Sequence, residues 1–394
     1  MDSDVKIVLK SGKDISLIRR HPWIFSGAIK KIYGDPVEGE LVHVYNNKDE
    51  FLAQGHFQPG SIAVRIISFQ HQELNGNFWR EKFKSAWQLR KELGLIGSSS
   101  TNVYRLFHAE GDNIPGLIID YYNGHVVLQI HSVGIYHNLP HILQALRELY
   151  GDRLMTVYSK SKSTLPAVGN IIPKDEFLLG NTENTLVSEN NLKFRIEWKE
   201  GQKTGFFIDQ RENRTLLQKY SANRDVLNMF SYTGGFTMYS LAGKAKNVHS
   251  VDSSARAIEL TNENVNLNFI NAPHEAYNED AFRFMDKIKD KYDLIVLDPP
   301  AFAKHQSSLY NALQGYKRLN QIVLEQIRPG GILFTFSCSQ VVSKENFRKS
   351  VFAAAVNAKR NVRILHQLTQ PGDHPVNIFH PEGEYLKGLV LYVE

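Results

Sequence analysis

Over residues 1 to about 73 the apolar positions come in short runs with partial alternation: VKIVLK, ELVHVYN, FLAQGHF and SIAVRIISF. A period of two turns one face of a strand inward and the other to water. Gly34-Asp35-Pro36, Asn46-Asn47 and Pro59-Gly60 supply turns between the runs. The pattern predicts a small all-β module. The period then changes. Phe83, Ala86, Trp87 and Leu93 recur at helical spacing and Gly94 closes the run, which predicts a helix over 78–93. Beyond the Ser-rich GSSST at 97–101, the strands YRLFHAE, LIIDYY, HVVLQIH and LMTVYSK surround a helix near 136–150. This is a mixed α+β segment ending near residue 187.

From about residue 205 the texture differs. DVLNMFS, NVHSVD, YDLIVLDPP and GILFTFSCS read as buried strands. Helices are expected at 235–244, 254–267, 280–290 (after HEAYNED), 309–327 and from near Ser343. Leu309, Leu313, Tyr316, Val323 and Ile327 form one stripe of the fourth, and Pro329-Gly330-Gly331 ends it. VRILHQL and LKGLVLYVE close the chain as strands. Strands alternating with helices build a mostly parallel, doubly wound sheet. The expected fold class is α/β: a Rossmann-like domain over 188–394, preceded by a small β domain over 1–73 and a central α+β domain over 74–187. In such sheets the ligand sits at the carboxyl ends of the strands. That rule marks Phe230–Gly235, Asp252, Asp280, Asp298–Phe302 and Ser337–Ser339 as neighbours.

Composition adds exclusions. With 394 residues, two or three domains are expected. At 42% apolar and 22% charged residues the chain is an ordinary globular one, not a disordered or fibrous one. The one cysteine, Cys338, excludes an intrachain disulfide and any multi-cysteine zinc or iron–sulfur site. It suits a reducing, cytoplasmic location, and no metal is expected. The polar start MDSDVKIVLKSGKD does not read as a signal peptide. The apolar runs are far too short for a membrane span, so no membrane partner is expected. A net charge of +5 permits a nucleic-acid partner without requiring one.

Five features carry candidate chemistry. FSYTGGF (230–236) joins a buried strand to a helix. Its glycines let backbone approach a ligand, and the helix N-terminus offers free N–H groups. The pattern is not G-x-G-x-x-G, so an adenosine without a pyrophosphate fits better, and S-adenosylmethionine is the common one. A tight turn is the structural alternative. Asp252 stands where such folds place the acid that takes ribose hydroxyls. Asp280 can accept from an adenine amino group or simply cap a helix. In LDPPAF (297–302), Pro299 and Pro300 stiffen the loop after a buried strand, hold Asp298 at its tip and leave Phe302 as a stacking face. A rigid acid beside an aromatic plane suits an extruded nucleobase. Cys338 faces the same crevice. A buried free cysteine is usually a small hydrophobe. Methylating cytosine or uracil at C5, however, needs a thiolate added at C6 to make C5 electron-rich.

GQKTGFFIDQRENR (201–214), FSYTGGF, LDPPAFAK and FSCS together resemble the large-ribosomal-subunit RNA cytosine-C5 methyltransferases that carry an N-terminal PUA domain. RRHPWIFSGAI (19–29) and GHFQPGSIAVRII (55–67) are similar to the PUA module. AEGDNIPGLIIDYYNGH (109–125) resembles the central domain, and the ending PGDHPVNIFHPEGEYLKGLVLYV matches too. The resemblance implies a class I S-adenosylmethionine-dependent methyltransferase domain with a seven-stranded sheet and a small PUA β-barrel that positions RNA. It implies that Phe207, Asp209, Gln210 and Arg211 close over the methionine part of the cofactor. Ser231, Tyr232, Thr233, Gly234 and Gly235 would lie under it, with Asp252 at the ribose and Asp280 at the adenine. Asp298 would lie between cofactor and base, with Pro299, Pro300 and Phe302 at the base and Cys338 as nucleophile. The partner implied is large-subunit rRNA, and a homodimer is compatible. Many RNA cytosine-C5 methyltransferases have a second cysteine in the loop after the Asp298 strand. DPPAFAK has none, as in the PUA-bearing branch, and the proton-removing base is unassigned.

Other readings remain open on the residues. DPPAF is close to the acid–Pro–Pro–aromatic loop of enzymes that methylate base nitrogens without a cysteine. A non-catalytic RNA-binding protein is a further class, disfavoured by the acids at 252, 280 and 298. The absent G-x-G-x-x-G disfavours a nicotinamide dehydrogenase. In the front module, Arg19, Arg20, Lys30 and Lys31 form a basic cluster that can meet phosphate. His21, Trp23 and Phe25 are candidates for base stacking, with Trp23 and Phe25 expected in the core.

Overall fold

The computed structural model describes residues 5–394; Met1–Asp4, the start of the polar N-terminal stretch, lie outside the described residues. The chain divides into two compact units. Unit 1 holds the chain through Val187 together with Ile196–Phe206 and Gly372–Gly383. Unit 2 holds Ser188–Arg195, Phe207–Pro371 and Glu384–Glu394.

Unit 1 begins with a six-stranded sheet in the order Trp23–Phe25, Ile62–Ser68, Phe51–Phe57, Leu41–Tyr45, Lys6–Leu9, Ile29–Tyr33. Among the described residues of this sheet, Lys6–Leu9 and Leu41–Tyr45 pair in parallel and the other neighbours are antiparallel. Alternation buries Ile7, Leu9, Val42, Val44, Val64 and Ile66 in one core. Trp23–Phe25 and Ile29–Tyr33 are strands that the hydrophobic pattern does not announce, because most of their residues stay exposed or half-exposed. A second sheet runs Asp175–Leu179, Thr156–Lys160, His125–Ile130, Leu117–Tyr122, Val103–His108. The helices Gly76–Glu92 and Leu139–Tyr150 bury Trp79, Phe83, Ile142 and Leu146 against it. The single helix expected near 136–150 is two, Val133–His137 and Leu139–Tyr150. Pro140, in the first turn of the second, has no N–H to continue the first.

Gly372–Gly383 packs in unit 1 although its sequence neighbours lie in unit 2. The fully buried Arg90 donates from Nη2 to the Asp373 carbonyl (2.8 Å) and to Asp112 Oδ2 (2.8 Å). The Arg105 N–H donates to Asp373 Oδ2 (3.0 Å), and Asn377 Nδ2 donates to Asn113 Oδ1 (2.9 Å).

The sheet of unit 2 runs His274–Asn278, Asn247–Asp252, Asp225–Met229, Leu294–Leu297, Gly331–Ser337, Lys387–Val393, Val362–Leu368. The first five strands are parallel, and Lys387–Val393 runs antiparallel to both neighbours. This is the α/β doubly wound fold expected from the sequence. Its strand order reverses between Asp225–Met229 and Leu294–Leu297, where such sheets open a crevice. The helix expected at 280–290 is a correction: it stops at Met285. Ile288 and Tyr292 enter the core from a turn in which Asp290 takes φ +54°. Their apolar spacing therefore imitates a helix that does not continue. Among the described residues no helix is long and apolar enough to cross a membrane.

Candidate active site

The turn Phe230–Gly235 leaves the fully buried strand Asp225–Met229. Phe230, Tyr232 and Gly234 have φ of +59°, +47° and +79°. Residues with a Cβ occupy that region rarely, and the surroundings must hold them there. The Tyr232 N–H donates to Asp252 Oδ2 (2.9 Å), and the Tyr232 carbonyl accepts from Thr261 Oγ1 (2.8 Å). The Thr233 carbonyl accepts from Asn264 Nδ2 (2.9 Å). A methyl group on Gly234 would lie 2.8 Å from Thr261 Cγ2, and one on Gly235 3.2 Å from Arg214 Cδ. Close packing and a positive φ thus already demand glycine at 234, while at 235 a side chain would require the Arg214 side chain to give by a few tenths of an ångström. The Ser231 hydroxyl is buried with no hydrogen-bond partner, a condition that points to a ligand or water. Asp252 also accepts from the Ser254 N–H (2.9 Å), and Asp280 caps the helix Ala281–Met285 through the Arg283 N–H (3.1 Å). Each carboxylate keeps acceptor capacity beyond these bonds.

Ahead of the first parallel strand, the segment 207–214 is pinned by one buried carboxylate. Glu189 accepts from Arg214 Nε (2.9 Å) and Nη2 (2.7 Å), with Arg211 Nε 3.5 Å away. Arg214 Nη1 donates to the Phe207 carbonyl (2.9 Å), and the Phe207 ring meets Tyr232 edge-on at 5.1 Å. Asp209 Oδ2 accepts from the Tyr385 hydroxyl (2.6 Å). Gln210 Nε2 donates to Asp298 Oδ2 (3.0 Å), and Gln210 Oε1 accepts from Asn213 Nδ2 (2.6 Å). Sequence reasoning names Gln210 and Asp298 but not Glu189, Asn213, Arg214 or Tyr385. Asn213, Arg214 and Tyr385 lie inside the quoted motifs without being singled out by them, and Glu189 lies outside every motif. Glu189 meets Arg214 across 25 residues and Tyr385 meets Asp209 across 176.

Leu294–Leu297 is fully buried and delivers Asp298 to its tip. Pro299 is buried and Pro300 exposed. The Phe302 ring leans on Tyr316 (centroids 4.6 Å apart) and fills the space left by Gly315. Cys338 follows Gly331–Ser337, which pairs in parallel with Leu294–Leu297. It is partly exposed, with Sγ 3.9 Å from the Pro299 carbonyl. Its neighbour Ser339 is tied twice by its side chain: to the Tyr316 hydroxyl (3.0 Å) and to the Ala303 N–H (3.3 Å). Lys387 Nζ donates to the Ser339 carbonyl (2.6 Å). Burial pushes the Lys387 ammonium down to about 8, while negative charge on Cys338 pulls it the other way. A cation in reach of a thiol favours the thiolate. Lys387 is a further residue that no sequence pattern singled out.

The S-adenosylmethionine-dependent methyltransferase family matches residues 104–375. The chain belongs to that family. A PUA-like domain matches residues 7–69 of this methyltransferase. It is 38% identical to the ribosomal RNA large subunit methyltransferase I of Tolumonas auensis, over 98% of both chains. Its identity to the protein of that name from Aeromonas salmonicida is 39%, over 98% of this chain and 99% of the other. Among solved structures it resembles a methyltransferase in complex with SAH, with TM-score 0.84 and 25% identity over 98% of this chain and 100% of the other. One from Streptococcus mutans described as SAM-dependent shares its fold at TM-score 0.83 and 24% identity, with the same coverage.

In unit 1 of the methyltransferase, Arg19, Arg20, Lys30 and Lys31 are all exposed. Phe25 corrects the expectation of a core residue: it is 47% exposed, on an edge strand whose other side carries the buried Ile24. Trp23 is half-buried and donates from Nε1 to Glu110 (2.9 Å). A cavity of about 310 Å³ is lined by Arg20, Lys82, Asn113 and Asn377 among others. Burial lowers the Lys82 pKa, so this lining holds a poorly solvated positive charge.

Proposed function

We propose that the protein transfers a methyl group from S-adenosylmethionine to C5 of a cytosine in large-subunit ribosomal RNA, through a Cys338 thiolate that adds at C6. The observation that carries this reading is the single cysteine, partly exposed beside the Pro299 carbonyl, at the tip of the strand next to Asp298. The names of the 38–39% identical relatives support the RNA target.

The residues present fit the cofactor. The buried Ser231 hydroxyl lacks a protein partner, and the carboxylates of Asp252 and Asp280 retain acceptor capacity. In this reading Ser231, Tyr232, Thr233, Gly234 and Gly235 cradle it, Asp252 takes ribose hydroxyls and Asp280 the adenine amino group. Phe207, Asp209, Gln210 and Arg211 cover its methionine end. When bound, S-adenosylmethionine supplies an electrophilic methyl group on a positively charged sulfur. Cys338 supplies the matching nucleophilicity: its thiolate forms an S–C6 bond, and the displaced π pair makes C5 electron-rich. After C5 loses its proton, the S–C6 bond breaks and the thiolate leaves. Asp298, oriented by Gln210, faces the reacting base, and Pro299, Pro300 and Phe302 form its rigid wall. Residues 1–73, 74–187 and 188–394 serve as RNA-positioning, central and catalytic domains.

The second reading, methylation of a base nitrogen, rests on the same DPPAF loop and needs no thiol. Exchanging Cys338 for alanine separates them. Methylation of rRNA, mapped by mass spectrometry, should fall by about a thousandfold or more, while S-adenosylmethionine binding by calorimetry persists. RNA carrying 5-fluorocytidine should trap a covalent complex with the wild-type chain alone. Full activity in the alanine variant would overturn the thiolate mechanism and favour the base-nitrogen reading.

A further inference from the structure

We infer that His21, His380 and Glu382 form a binding site for a divalent transition-metal ion of the zinc class. None of the three belongs to the methyl-transfer site proposed above. One ligand atom from each lies within 4.8 Å of the others. His21 Nε2 is 3.6 Å from Glu382 Oε1, and His380 Nε2 is 3.8 Å from Glu382 Oε2. Both separations exceed a hydrogen bond. Donors about 2.0–2.2 Å from a tetrahedral ion stand roughly 3.3–3.5 Å apart. Closing these side chains onto an ion therefore asks only for small shifts.

His380 points most directly to a ligand. It is 2% exposed, and neither ring nitrogen has a hydrogen-bond partner. An imidazole buried with both nitrogens unsatisfied is costly, and a metal bond would satisfy one of them. His21 Nδ1 lies 3.2 Å from both the Trp23 carbonyl and the Trp23 N–H, so it can donate to the one or accept from the other. In the tautomer that donates to the carbonyl, the Nε2 lone pair is free for a metal. The supports are firm. The Trp23 ring, anchored on Glu110, lies 4.3 Å from the His380 ring. The segment bearing His380 is held in unit 1 by Arg90, Arg105 and Asn377.

Two imidazoles and one carboxylate suit zinc-class ions better than calcium or magnesium, which prefer oxygen shells. Three protein ligands leave a fourth position for water. The ligands come from opposite ends of the chain, so the ion would staple Gly372–Gly383 to the first sheet. Counting cysteines, which led to the expectation of no metal, does not detect such a site.

The test uses the untagged full-length chain, stripped with chelator and titrated with Zn²⁺ in a calorimeter and with Co²⁺ by visible absorption. One ion should bind per chain, and Zn²⁺ should raise the thermal midpoint. His380→Ala and Glu382→Gln should each weaken binding about 100-fold or more. Glu382 is 48% exposed on its side chain, so its variant should melt like the wild type without metal. Cys338→Ser should leave the titration unchanged. Absence of a stoichiometric ion, unchanged affinity in either ligand variant, or loss of binding in Cys338→Ser would overturn the assignment.

Discussion

Lys387 comes within electrostatic reach of Cys338 only through tertiary structure. The cysteine is visible in the sequence because it is single and follows an apolar strand. The lysine is one of many. It becomes special because Lys387–Val393 runs antiparallel to Gly331–Ser337 and sets Lys387 opposite Ser337. There it is 3% exposed, with Nζ on the Ser339 carbonyl. Its pKa of about 8 means that it carries charge below that pH and loses it above. While charged it favours the Cys338 thiolate. Lys387→Met should therefore move the acidic limb of the kcat/KM profile to higher pH, because a positive charge that favours the thiolate is gone. Pre-forming the thiolate at high pH should restore part of the lost rate. An acidic limb that stays in place would assign Lys387 to packing alone.

At the scale of elements, most long helices and buried strands follow from periodicity. The failures have physical causes. Trp23–Phe25 and Ile29–Tyr33 are too exposed to show a pattern, and Ile288 and Tyr292 reach the core from a turn. The segment 207–214 shows how one element is held by another. Its motif suggests a cofactor, yet its position depends on Glu189, fully buried in the strand Asn184–Glu189. Glu189 also accepts from the Tyr239 hydroxyl (3.0 Å). Glu189→Gln removes the negative charge that Glu189 sets against the buried guanidinium groups of Arg214 and Arg211. Breaking such a pair costs about 3 kcal/mol or more. Urea unfolding should register that loss, and affinity for S-adenosylmethionine should drop more than about tenfold as Phe207–Arg211 loosens. Wild-type affinity in a destabilised variant would show that the clamp serves stability only.

At the scale of the molecule, stability should carry an acid-sensitive component. His56 lies 4% exposed in the strand Phe51–Phe57, with Nδ1 unpartnered. A methyl group on Gly134 would come 2.1 Å from its ring. Burial, and then the charge of His137, push its pKa down to about 4 from the usual 6.5. The unfolded chain therefore binds this proton more readily. The contribution is whole above pH 6.5 and is lost as pH falls toward 4, to a total of about 3 kcal/mol. Urea midpoints should fall across that window, and His56→Gln should flatten the fall. An identical pH dependence in the two proteins would refute the assignment. By itself the sequence determined the α/β class and the strand tips that carry Asp252, Asp280, Asp298 and Cys338, because these follow from local periodicity and chain order. Only the tertiary structure decided that Glu189 clamps Arg214, that Lys387 comes within electrostatic reach of Cys338, that Phe25 faces outward, and that His21 meets His380 and Glu382. Each of these depends on burial and on partners distant in sequence, and local pattern carries no record of either.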